Sequence, residues 1–149
     1  MFAEFNETNF PFVQVKLVGK PQDDNDFNLF INKWRELYNN NKDFIFIFDT
    51  INVSNPPLKY SLKMSQFIKQ LRKNDYQYLK KSIILINSNK IKHMLEFIFL
   101  IQPPVAPVYI YNIENGIEGN ILLNQNIEKI INNPKTIYIE PNKPFLGIF

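Results

Sequence analysis

Apolar and polar residues alternate over positions 12–18 (FVQVKLV), a period of two that predicts a half-buried strand, and Gly19-Lys20-Pro21 closes it as a turn. Asp23 and Asp24 follow, acids suited to capping a helix and to its positive end, and apolar residues then fall at Phe27, Phe30, Ile31, Trp34, Leu37 and Tyr38. This is one helical stripe, stopped by Asn39-Asn40-Asn41. Residues 44–48 (FIFIF) lack alternation and end at Asp49, the pattern of a strand covered on both faces in a parallel sheet. Pro56-Pro57 makes 51–57 a loop and lets a helix begin after it, over 58–73, with Met64, Phe67, Ile68 and Leu71 inward.

The second half repeats the scheme. Residues 82–86 (SIILI) read as a buried strand and 90–102 as a helix capped by Ser88 and ended by Pro103-Pro104. A strand follows at 108–111, a loop at 116–120, a helix at 120–132 on Leu123, Ile127, Ile130 and Ile131, and a short strand at 136–139. The order βαβαβαβαβ predicts a single α/β domain with a mainly parallel central sheet and helices packed on it. The domain is expected over 12–140, with tails at 1–11 and 141–149.

Composition narrows the chemistry. At 149 residues the chain suits one core, burying about 70% of the surface of its unfolded form. It has no Cys and one His, His93, which excludes disulfides, thiolate nucleophiles, Cys-based metal sites and any two-histidine metal site. The four glycines are too scattered for a phosphate-cradling loop. His93 has no carboxylate or serine beside it in sequence, so it reads as a surface residue, and Asp23, Asp24 and Asp26 read as dipole-complementing acids at a helix start. No cofactor, metal or catalytic residue is expected. Glu4 and Glu7 stand where an export signal needs positive charge, and the greasiest stretch, 94–101, is short and broken by Glu96. An intracellular, cytoplasmic protein without a transmembrane segment is expected.

Charge is unevenly spread. Positions 58–95 hold nine basic residues (Lys59, Lys63, Lys69, Arg72, Lys73, Lys80, Lys81, Lys90 and Lys92) against one acid, Asp75, leaving the rest of the chain net acidic. A positive surface of this kind attracts nucleic acid or an anionic membrane. The other reading is solvated helix faces in a chain whose abundance of Asn, Ile, Lys, Phe and Tyr reflects AT-rich coding. Asp49, Thr50, Asn87, Ser88 and Asn112 stand where ligands gather in parallel sheets, outside the carboxyl ends of strands, and can line a crevice for a small polar ligand or serve as turn and cap residues. The helix at 90–102 is apolar nearly all round, so the segment 103–107 and the tail, or a partner, must cover it. Phe2, Phe5, Phe10, Phe145 and Phe149 can dock on this domain or on a second copy.

Several stretches together resemble the SpoIIAA-like fold, which includes the STAS (sulfate transporter and anti-sigma factor antagonist) domain. They are FVQVKLVG, FIFIFDT with its strand-closing acid, FIKQLRKNDYQYLKKSIILINSNKIKHMLEFIFLI and VYIYN, spanning roughly 12–131. The resemblance implies a non-catalytic, protein-binding regulatory module, partnered by another protein or by its own copy. In the anti-sigma antagonists it also implies a phosphorylatable serine in an Asp-Ser-Ser/Gly loop before the second helix. The corresponding stretch here, INVSNPPLKYS, keeps Ser54 and Ser61 without that pattern, and Lys59 and Tyr60 lie beside them as switch or partner-contact residues.

Overall fold

The computed structural model describes residues 1–116 and 124–142. Strand β1 (Ala3–Asn6) and β2 (Phe12–Gly19) precede α1 (Asp24–Tyr38), β3 (Phe44–Val53), α2 (Leu58–Leu71), β4 (Leu79–Ile86), α3 (Asn89–Ile101), β5 (Val108–Asn112), α4 (Asn124–Asn132) and β6 (Ile137–Ile139). The six strands form one sheet in chain order. β2, β3, β4 and β5 are parallel, whereas β1 on β2 and β6 on β5 are antiparallel.

The sheet is therefore mixed, and the expectation of a mainly parallel one holds only for its centre. A parallel neighbour needs a crossover of a dozen or more residues, and the few residues between Asn6 and Phe12 permit only a reversal. The segment set apart as an N-terminal tail thus supplies an edge strand. Phe2 is buried against Phe30 with ring centroids 5.9 Å apart, and the Asp26 carboxylate accepts from Phe2 N–H at 3.0 Å. Phe145 and Phe149, and Leu123 with the start of the predicted fourth helix, lie outside the described residues.

Pleating sorts the two sheet faces. Val13, Val15, Phe44, Phe46, Phe48, Ile84, Ile86, Val108 and Ile110 share one core with the inner stripes of α1, α2 and α3. Ile47, Ile83, Leu85 and Tyr111 face the other way, against Ile127 and Ile130 of α4. Helices on both faces explain why β3 and β4 read as unbroken apolar runs. Three helices crowd one face because each parallel neighbour pair is joined by its own helix.

Local chemistry fixes the joints. The Asp23 side chain accepts from Asp26 N–H at 2.8 Å and caps α1, and the Ser88 hydroxyl accepts from Ile91 N–H at 3.2 Å and caps α3. Gly19 takes a left-handed conformation (φ 65°) that turns the chain after β2, and its carbonyl accepts from Ser54 N–H at 2.9 Å. β3 runs past Phe48 to Val53, with a register shift where it pairs with β2. A polar Asp-Thr pair inside a strand is what the sequence pattern hides.

Candidate functional site: the outer face of helices α2 and α3

Of the polar residues expected at the strand ends, Asn87 and Asn112 stand at neighbouring ends of β4 and β5, whereas Asp49 and Thr50 do not share one crevice. Asp49 and Thr50 lie within β3 rather than beyond it, and they point to opposite faces. Asp49 Oδ1 accepts from Ile51 N–H at 3.0 Å, and the buried Thr50 hydroxyl donates to the Leu85 carbonyl at 2.7 Å. Ser88 caps α3, Asn112 Oδ1 accepts from Glu114 N–H at 3.0 Å, and Asn87 is exposed. Asp49, Ser88 and Asn112 thus serve local turns and caps, while Thr50 bonds across the sheet to β4.

The loop before α2 also differs from expectation. Ser54 and Lys59 are exposed, but Tyr60 and Ser61 are buried in the first turns of α2 and are not presented to a partner. Tyr60 stacks on Phe27, centroids 5.1 Å apart, and Lys59 lies over the Tyr60 ring at 4.9 Å. The apolar stripe of α2 extends one turn further toward its start than Met64, and that earlier turn carries them inward.

The basic residues are divided. Lys59 and Lys63 pair with Asp24 at 3.2 and 3.5 Å. The hydrogen-bonded Lys59 ammonium, with Lys63 behind it, holds the Asp24 carboxyl below its ordinary value. Lys80 bonds to the Tyr76 hydroxyl at 3.0 Å and pairs with Asp43 at 3.6 Å, and the two together raise its pKa. Lys81 lies opposite Ile45 on the α4 side of the sheet, away from α2. Lys69, Arg72 and Lys73 gather at the end of α2, while Lys90 and Lys92 begin α3. Both helices run back along the strands, so these two groups stand at opposite ends of the molecule, about 20 Å apart by helix length. Exposed His93 lies on α3. Among the described residues no group of His, Asp and Glu is placed to hold a metal ion, and no helix is long and apolar enough to cross a membrane.

What these helices do form is a shared outer face. The Ser65 hydroxyl of α2 lies 3.2 Å from the Ile98 carbonyl of α3. Leu58, Leu62 and Lys69 share the row of Ser65 on α2, at spacings of three, four and seven residues, and Lys90, Met94 and Ile101 share the row of Ile98 on α3. Leu58 is 62% exposed, Leu62 43% and Ile101 46%, with Phe97 half-buried beside them. The far side of α3 is closed by Val105 and Ala106, which pack into the core, and the Pro104 carbonyl there accepts from Asn142 N–H at 2.9 Å. Segment 103–107 therefore packs at one flank of α3, α2 packs against another, and Ile101 stays exposed on the outside. Among the described residues Lys69 and Lys90, on either side of this strip, enter no ion pair. No protein-family model matches the chain, and comparison with curated proteins and with solved structures gives no significant match.

Proposed function

We propose that the chain is a non-catalytic interaction module of the SpoIIAA-like kind that docks an acidic, amphipathic protein segment along the outer face of α2 and α3. The observation that carries this reading is the row of exposed Leu58, Leu62 and Ile101 beside the Ser65–Ile98 junction, bordered by unpaired Lys69 and Lys90. Leucines at helical spacing with flanking cations suit a partner helix bearing apolar residues on one face and carboxylates at its rim. A second copy would bring lysines against lysines, which disfavours self-association through this face. The division of the basic residues between two ends and two sheet faces likewise favours a protein segment over a nucleic acid backbone, which needs a continuous basic track.

The test is fluorescence anisotropy with a labelled synthetic helix carrying leucines at i, i+3, i+4 and i+7 and glutamates elsewhere. The expected outcome is saturable binding that weakens at least about tenfold in Leu62→Lys and Lys69→Glu while thermal stability is unchanged. Unaltered binding in both variants, or no binding at low salt, contradicts the reading. A labelled single-stranded oligonucleotide run alongside decides against it if only the oligonucleotide binds.

A further inference from the structure

Strands β3 and β4 begin at one end of the sheet, and there the loop 72–78 (RKNDYQY) joins α2 to β4. Its two tyrosines are placed differently. Tyr78 is fixed in the fold: its ring meets Tyr38 with centroids 6.2 Å apart, its hydroxyl donates to Asn41 Oδ1 at 3.1 Å, and its carbonyl accepts from Phe44 N–H at 2.9 Å. Tyr76 is 52% exposed and takes no part in either core cluster. It is nevertheless held, by Tyr78 at a centroid distance of 4.7 Å and by Lys80, whose ammonium lies 4.4 Å from the ring centre and donates to the hydroxyl at 3.0 Å. The two tyrosine planes cross at 60°, so Tyr78 does not stack on the Tyr76 ring. An ordered ring outside the core, half in water, is a platform for another flat π-system.

Cations gather at the same end. Exposed Lys73 and Arg72 stand three and four residues before Tyr76, and the bond from Tyr78 to Asn41 brings exposed Lys42 to this loop. Among the described residues none of these three enters an ion pair, whereas Asp43 is taken up by Lys80. Asp75 is the one acid of the cluster outside such a pair. An aromatic platform beside unpaired cations suits a ligand that is flat at one end and multiply anionic at the other.

We infer that the 72–78 loop binds a nucleotide unit, its base stacked on Tyr76 and its phosphates paired with Arg72 and Lys73. One such unit needs no continuous basic track. The site uses none of the docking-strip residues, so either reading can fail without the other.

ATP, inorganic tripolyphosphate and a thymidine oligomer of about five nucleotides are the probes, followed by NMR of the full chain at low salt. ATP and the oligomer are expected to bind saturably, with ring-current shifts at the Tyr76 side chain, and tripolyphosphate at least about fivefold more weakly than ATP because it cannot stack. Tyr76→Ala should bring ATP down to the affinity of tripolyphosphate, whereas Tyr76→Phe should keep the difference. Arg72→Gln with Lys73→Gln should weaken ATP and flatten its salt dependence. Tighter binding of ATP than of the oligomer assigns a free nucleotide, and the reverse assigns a single strand. The inference is overturned if neither ATP nor the oligomer moves Tyr76 at millimolar concentration, if tripolyphosphate binds as well as ATP, or if Tyr76→Ala leaves ATP affinity unchanged.

Discussion

The Ser65 hydroxyl stands 3.2 Å from the Ile98 carbonyl and 3.1 Å from that of Ser61, so one side chain ties α2 to α3 at the middle of their shared outer face. The Ile98 carbonyl also accepts from Gln102 N–H at 3.0 Å and stays satisfied without Ser65. Ser65→Ala should therefore cost only about 0.5–1 kcal/mol in urea unfolding. Binding of the acidic helix should weaken severalfold, because the rows of Leu62 and Ile101 lose their fixed spacing. A loss of stability with no change in binding would separate the junction from the docking face.

Aromatic packing sets the stability. Phe46 is fully buried, with ring centroids 4.7 Å from Phe48, 4.8 Å from Trp34, 5.2 Å from Phe44 and 6.3 Å from Phe5. Phe46→Ala should cost about 3–5 kcal/mol in equilibrium unfolding, since it removes a large buried ring and leaves a void. Leu29→Ala, at a position 51% exposed, should stay within about 0.5 kcal/mol of wild type.

Burial decides what phosphorylation can do here. Ser61 lies inside and Ser54 outside. Ser61→Glu should destabilise by about 3–5 kcal/mol, the cost of an uncompensated buried charge, whereas Ser54→Glu should leave the melting temperature nearly unchanged. A kinase assay on the folded protein should label Ser54 in preference to Ser61. Labelling of Ser61 in the native state would show that the start of α2 opens.

Two carboxylates give an acid limb to the stability curve. Lys59 and Lys63 hold Asp24 below its ordinary value. For Asp26, burial pushes upward but is outweighed by hydrogen bonds from the N–H groups of Gln22 and Phe2, each 3.0 Å away, and the net shift is down. A folded-state pKa below the unfolded one gives stability that is present above the unfolded value of about 4 and is lost as pH falls through the folded one. Melting temperature should thus fall as pH drops below about 4, and less steeply in Asp24→Asn. Asp26→Ala should also speed amide exchange in β1, because Phe2 loses its tether to α1.

Much of this architecture is legible in the pattern of apolar residues. The stripe from Phe27 to Leu37 and the runs FIFIF and SIILI place α1, β3 and β4, since period and burial are written directly in residue type. β1 escapes because AEFN is short and its pairing depends on a reversal that no local signal marks. The extension of β3 through Asp49 and Thr50 escapes because their polar side chains are satisfied by Ile51 N–H and by the Leu85 carbonyl, partners that only the fold brings near. The nine basic residues are plain in sequence, but Asp24 and Asp43, which neutralise three of them, lie far from them along the chain. The docking strip needs two helices in register, so it has no sequence signature.

The most direct test of the docking face is a ¹⁵N-HSQC titration of the full chain with the acidic leucine helix. The account predicts saturable shifts confined to Leu58, Leu62, Lys69, Lys90 and Ile101 and their immediate neighbours, with β6 and α4 unmoved. Shifts centred on the α4 side of the sheet, or no shifts at millimolar peptide, would contradict it.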